Sequence, residues 1–538
     1  MKRTKFLLPL IISVVVSTAL QSAPTPPRLV VVVSFDQHRG DYSTSFSRFL
    51  GSRGFARIAR EGVVFDRCYY DHANNITGPG HAAIMTGCYP WKTGIVGNDF
   101  CDARTGICGY CTNDTSGRKS ADKLEVPALG DVLRSTSPRS KVIGISLKDR
   151  ASILMAGKNA SACVWYEPSS GGWTTSSAYP APSWLPQLRS TVDARKYSGV
   201  TWNAEIPSSF SPAVDDVVGE GSIPGNSGHT AFPYVITSQV ASDTFYMQLA
   251  LSPYSMRMLF DATRFVIDRE KLGKDASPDI LCVGVSTPDY VGHLYGPDSR
   301  EVQELYVHAD REIARLIDDL DRRVGRSKYL LVITSDHGVG PIPEVIRRAA
   351  EPQHTSVDAG RLRSSEIKGL INTTLTQRFG SPQGGSWVEH VTPPSVYLRD
   401  SALLGHDRQA VIDTVVAALR RHPHLAIVAT PSSLLDGVVP PGVDTATASA
   451  VRRSMHRNRS GHVVMYPKRY WIFGSNPATH GTPYDYDRWV PLMMLGNGVS
   501  TATASAAVAP VDIAPTLAAL LGIAMPDVDG RPLPIRRK

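Results

Sequence analysis

Five short, almost unbroken apolar runs constrain this chain most: Leu29 to Phe35, Val142 to Ser146, Ile280 to Val285, Tyr329 to Ser335 and Val490 to Leu495. A strand wetted on one face alternates apolar and polar residues. A strand apolar at nearly every position is buried on both faces, the condition of a parallel sheet covered by helices. Helical spacing fills the intervals. Ser299 precedes Val302, Leu305, Ala309, Ile313, Leu316, Leu320 and Val324, three and four apart, and Gly325 ends the pattern, which predicts a capped amphipathic helix. Ser255 to Glu270, Asp407 to Leu419 and Asp512 to Leu521 read the same way. Alternating strands and helices predict an α/β fold, a doubly wound, mostly parallel sheet flanked by helices. Two stretches, about 151–275 and about 345–475, are richer in Pro, Ser, Gly and Trp. They are expected as inserted cap segments packed over one edge of the sheet, within a single catalytic domain of residues 24–538.

The start of the chain is a separate object. Lys2, Arg3 and Lys5 precede an apolar run from Phe6 to Leu20, and small residues follow, so residues 1–23 are expected to be a signal peptide cleaved after 19 or 23. The run is shorter than the ~20 residues of a spanning helix, and no later run is long enough either. A periplasmic or secreted location without a stable membrane anchor is expected. Losing the leader changes the net charge from +8 to +5, too little for a nucleic-acid footprint. The densest basic stretch, Arg452, Arg453, His456, Arg457 and Arg459, lacks interleaved aromatics and is read as a solvated surface loop, so no nucleic-acid partner is expected. Seven cysteines are present. Cys101, Cys108 and Cys111 are near enough in sequence for one local disulfide and one sulfur short of a structural zinc site. The odd count leaves a thiol, expected at Cys282 inside an apolar strand.

Chemistry gathers where the apolar runs end. Asp36 follows the first, Asp289 and His293 follow the third, and Asp336 and His337 follow the fourth, with His480 shortly before the fifth. Open α/β sheets hold ligands at the carboxyl ends of their strands, and Asp with His is the donor mix of zinc or a similar divalent ion. One such element can equally be a helix cap; three acids at three strand ends, two of them with a His, point to a metal centre. Thr77-Gly-Pro-Gly-His81 is expected as a turn leading into a helix from Ala82, with the Thr77 hydroxyl either a nucleophile or a helix cap and His81 either a base or a packing group. Asn98, Lys148 and Arg150 can donate hydrogen bonds or charge to phosphate oxygens. Trp165, Tyr166 and Trp173 either wall the pocket or belong to the core.

In order along the chain, Ser34-Phe-Asp36-Gln-His-Arg-Gly-Asp-Tyr, Thr77-Gly-Pro-Gly-His, Asn98-Asp, Ser146-Leu-Lys148-Asp-Arg150, Asp289 with His293, Asp336-His337-Gly and His480-Gly-Thr-Pro resemble one group. It is the alkaline phosphatase superfamily, in its type I phosphodiesterase/nucleotide pyrophosphatase branch, and within that the PafA-type bacterial alkaline phosphatases with a Thr nucleophile. The resemblance implies two Zn2+ per chain, one held by Asp36, Asp336 and His337 beside Thr77, the other by Asp289, His293 and His480. It implies hydrolysis of small phosphate monoesters to inorganic phosphate through a phosphothreonine at Thr77, with Asn98, Lys148 and Arg150 binding the phosphoryl group. The alternative it leaves is a phosphodiesterase or nucleotide pyrophosphatase with the same metal site. Cys88-Tyr-Pro90-Trp-Lys92 resembles the Cys-x-Pro-x-Arg of sulfatases, but Lys replaces the Arg and the Thr77 segment already takes the nucleophile's place.

Overall fold

The computed structural model describes residues 25–535 apart from 170, 212, 241, 352–354 and 383. The expected signal peptide lies outside the described residues. A nine-stranded sheet forms the body, in the order Ala502–Ala504, Val63–Phe65, Leu492–Gly496, Tyr329–Thr334, Leu29–Phe35, Asp279–Val285, Val142–Ser146, Ala162–Glu167 and Gly172–Thr174. Five neighbours, from Tyr329–Thr334 to Ala162–Glu167, are mutually parallel. The apolar run near Val490 does join the sheet, as Leu492–Gly496, but it runs antiparallel to Tyr329–Thr334. Burial on both faces requires an apolar run whichever way the strand points, so composition does not fix its direction.

The first strand shows why its run is unbroken. Leu29, Val31, Val33 and Phe35 enter one core, while Val30 and Val32 enter the core on the opposite face. Helices cover both faces. The predicted helix is Arg300–Arg323, and the Ser299 hydroxyl caps it by accepting from the Val302 N–H at 3.2 Å. The other predicted helices are Pro253–Arg269, Arg408–Arg420 and Ile513–Leu521, the last closed by Gly522 at a left-handed φ of 72°. None of the described helices is long and apolar enough to cross a membrane.

Within 151–275, Ala162–Glu167 and Gly172–Thr174 add the last two strands to the main sheet, so this stretch is partly sheet rather than wholly a cover. Within 345–475 lies a four-stranded antiparallel sheet of Val388–Thr392, Ser395–Leu398, Val463–Pro467 and Leu425–Ala429. Its strands send alternate residues into two small cores of their own. Trp165, Tyr166 and Trp173 are core residues, and the Trp173 indole N–H donates to the Val192 carbonyl at 3.0 Å. The basic stretch is not wholly solvated either. Arg459 is buried, pairing with Asp102 and Glu125 and donating to the Gly94 and Lys123 carbonyls, because those acids and carbonyls give a guanidinium a full set of acceptors. Cys101 and Cys108 form a disulfide across facing strand positions, and Cys282 is a free, buried thiol.

Candidate active site

Four adjacent strands end on one rim and deliver side chains in their order across the sheet. Tyr329–Thr334 leads into Asp336 and His337, and Leu29–Phe35 into Asp36. Asp279–Val285 leads into the helix Thr287–Tyr295 carrying Asp289 and His293 one turn apart. Val142–Ser146 leads into Lys148, at the N-terminus of the helix Asp149–Ala156, and Arg150. The loop bearing His480 closes the rim from the side, its ring stacked on that of His337 at 3.5 Å between centroids.

Thr77 begins the fully buried helix Thr77–Thr86, so the helix starts five residues before the expected Ala82. Gly and Pro disfavour helix in general, but here the close approach of neighbouring groups demands the two glycines. A Cβ on Gly80 would run into the Asp336 carbonyl, and one on Gly78 would sit 3.1 Å from Asn98 Oδ1. The N-cap is Ile76, not Thr77. The Thr77 hydroxyl instead accepts from Arg150 Nη2 at 3.3 Å. Asn98 Oδ1 accepts from the Gly78 N–H at 2.9 Å, and the asparagine borders a cleft of about 220 Å3 with Ile76, Pro393, Ser395 and Tyr397. His81 packs within the helix: its Nδ1 lies 2.9 Å from the Thr77 carbonyl and 3.2 Å from Asp336 Oδ2.

The Asp and His side chains form two groups that share Asp289. One comprises Asp289, His293 and His480, the other Asp36, Asp289 and His337, with Asp336 Oδ2 3.3 Å from His337 Nε2. Their donor chemistry fits divalent ions. Each His fixes its Nδ1 against a backbone carbonyl, that of Ala478 for His293, Gly338 for His337 and Asn75 for His480, at 2.8–2.9 Å. A carbonyl only accepts, so each Nδ1 carries a proton. Burial, then the neighbouring His337 charge, lowers His480 to about 3. Its Nε2 is therefore a bare lone pair facing the Asp289 carboxylate at 3.5 Å. Two acceptors pointed at one another are suited to a cation between them. Asp36 Oδ1 and Asp336 Oδ2 each lie 3.3 Å from the buried His337 Nε2, so these three atoms also converge. A third group, Cys101, Cys108 and His390, offers no thiolates because the cysteines are bonded to each other.

The Lys148 ammonium lies between the two groups, 2.6 Å from Asp36 Oδ2 and 2.5 Å from Asp289 Oδ2. Buried carboxylates need a nearby cation, and Lys148 is positioned to be one. Burial and the Asp289 charge push the Asp36 carboxyl up, but Lys148 and His337 more than reverse this and hold it well below the usual carboxylate range. Burial likewise disfavours the charged Asp289, and His293 and Lys148 overcome it. Burial alone would lower His337; Asp336 and Asp36 lift it to about 9.

Sequence reasoning missed three side chains that hold this arrangement. Gln37, at φ 69°, donates from Nε2 to Asp289 Oδ1 at 2.9 Å and from its backbone N–H to Asp336 Oδ1 at 3.2 Å, so it ties the two groups together. Asp487 accepts from the Thr482 N–H and hydroxyl, and its carbonyl accepts from the Gly338 N–H, bracing the loops of His480 and His337. Tyr110 touches Arg150. Only Gln37 carried a signal, its place directly after a strand-end Asp.

A match to the type I phosphodiesterase / nucleotide pyrophosphatase family covers residues 30–487. The chain is 28% identical to alkaline phosphatase PafA of Elizabethkingia meningoseptica over 97% of each chain. It is 30% identical to alkaline phosphatase PhoK of a Sphingomonas species, over 95% of this chain and 91% of that one. The crystal structure of wild-type PafA matches with a TM-score of 0.86 at 28% identity, covering 95% of this chain and 99% of that one. Murine ectonucleotide pyrophosphatase / phosphodiesterase 5 matches in fold alone, with a TM-score of 0.55 at 15% identity over 93% of this chain and 97% of that one. The sheet with its rim of acids and histidines is the alkaline phosphatase-like fold, and the chain belongs to the type I phosphodiesterase / nucleotide pyrophosphatase family.

Proposed function

We propose that the protein is an exported alkaline phosphatase that hydrolyses small phosphate monoesters, with Thr77 as the nucleophile. The observation that carries this reading is the Arg150 guanidinium on the Thr77 hydroxyl at 3.3 Å, beside two groups of buried Asp and His ligands. Relatives named alkaline phosphatases along nearly their whole length support it, and the leader-like residues 1–23 support export. Asp36, Asp336 and His337 would hold one zinc-type ion, and Asp289, His293 and His480 the other. When bound, two such ions supply charge to the attacking and leaving oxygens of an in-line displacement.

The chain's own groups do the rest. Thr77 Oγ1 bonds to phosphorus as the bond to the departing alcohol oxygen breaks, and water then cleaves the phosphothreonine to release inorganic phosphate. Two successive in-line displacements retain configuration at phosphorus. Arg150 binds the non-bridging oxygens through its planar fork, and Asn98, whose Oδ1 is already engaged by Gly78, has its amide NH2 left to donate. A monoester dianion uses these charges more fully than a diester, and each charge-assisted bond is worth about 1.5–3 kcal/mol. The test is kcat/KM for an aryl phosphate monoester against the matching methyl diester, with and without chelator. A monoester preference of several orders of magnitude, lost on chelation and restored by zinc, is expected. A diester preference would replace this reading with the phosphodiesterase one.

A further inference from the structure

The hairpin formed by Asp99–Asp102 and Ile107–Tyr110 reaches the Thr77 site from both of its ends. Asp99 faces Tyr110 and Cys101 faces Cys108, where the disulfide bonds the two strands together. The base is closed by the Cys111 N–H donating to the Asn98 carbonyl at 2.7 Å. Asn98, just before the first strand, accepts from Gly78. Tyr110, at the end of the second, accepts from Arg150 Nη1 at 2.9 Å and donates its own proton to Asp149 Oδ1 at 2.7 Å. Asp149 is held away from its sequence neighbour Arg150 by this bond, by Thr112 at 3.0 Å and by Lys119 at 3.0 Å. The Tyr110 ring is fixed as well, with Lys119 over its face at 4.1 Å and Lys123 donating to its carbonyl at 2.7 Å.

Arg150 forms no ion pair with a carboxylate among the described residues. A buried guanidinium usually acquires such a partner, and one within contact would cancel the charge an incoming anion needs. A phenol whose proton is committed to Asp149 presents only lone pairs to Arg150. It can aim the guanidinium without neutralising it.

We propose that Tyr110 is a positioning residue for Arg150, a neutral acceptor that separates it from Asp149 and aims its second nitrogen at Thr77. This rests on reading Thr77 and Arg150 as the phosphoryl site. The test is a double-mutant cycle on zinc-loaded protein, with inorganic phosphate affinity measured by titration calorimetry. Tyr110→Phe keeps the ring and removes the acceptor. It is expected to weaken phosphate about tenfold, with the melting temperature nearly unchanged and less than a twofold further effect in the Arg150→Ala background. Equal losses in both backgrounds, or no loss in the single variant, would overturn the role of Tyr110 and leave the phosphoryl site standing. If Arg150→Ala itself leaves phosphate affinity unchanged, the site reading falls and the role of Tyr110 with it. Cys101→Ser with Cys108→Ser is expected to weaken phosphate in the same direction; should that variant not fold, the Tyr110 cycle alone decides.

Discussion

Lys148 is bound to one carboxylate oxygen of each ligand group, and together with His337 at Asp36 and His293 at Asp289 it keeps both carboxylates ionised inside the protein. Removing one member of a buried ionic cluster leaves the others uncompensated, at roughly 3–5 kcal/mol. Lys148→Met keeps most of the side-chain volume and deletes the ammonium, so packing changes little and the charge effect is isolated. In metal-free protein this variant is expected to lose stability on that scale, read by chemical denaturation. Zinc binding only the native state would stabilise both proteins and supply positive charge where the ammonium was, so the deficit should shrink in saturating zinc. A deficit of equal size with and without zinc would show that the ions lie elsewhere.

The helix Thr77–Thr86 works by closeness, pressed against the backbone of Asp336 at Gly80. Gly80→Ala forces either the helix or the Asp336 loop to move, since backbone rather than a flexible side chain is in the way. The expected result is a loss of about 1–3 kcal/mol from overpacking. Displacing Asp336 should also weaken zinc on the scale of ~10–100-fold seen when a ligand's support is lost. Titrating the metal against a competing chelator checks it, and unchanged affinity would uncouple this helix from the metal groups. The same element marks the limit of what the sequence discloses. Four of the five parallel strands, and the Asp and His residues that follow three of them, are legible because burial on both faces dictates an apolar run and the rim follows each run directly. The helical start at Thr77 is not, because local propensity argues against Gly-Pro-Gly in a helix and only the distant Asp336 backbone explains it. Gln37 and Tyr110 escape for the same reason, their partners Asp289 and Arg150 being set by folding rather than spacing. The small antiparallel sheet of residues 388–467 is hidden because its strands are only four or five residues long.

Across the whole molecule, one of the bonds that fasten the preceding segment to the main helix runs through a buried acid. Glu301, in the first turn of Arg300–Arg323, accepts from the Tyr234 hydroxyl at 2.7 Å, while its Oε2 has no hydrogen-bond partner. Burial, aided by Glu220 and Asp215 and only partly offset by Tyr234, lifts the carboxyl from 4.5 to about 8. The folded protein therefore keeps a proton on Glu301 in a pH range where the unfolded chain has released it. The contribution of Glu301 to stability should be full below pH 4.5 and be lost as pH rises through about 8, a few kcal/mol in all. Glu220, raised to about 7 by burial and then by Asp216 and Asp215, adds a smaller slope of the same sign. Glu301→Gln retains an oxygen to accept from Tyr234 and cannot ionise. Unfolding free energies measured at several pH values, with zinc held saturating, should fall more steeply for the natural chain than for this variant. Parallel curves would mean that Glu301 is already charged at neutral pH and that the junction between the Tyr234 segment and the core helix is wet.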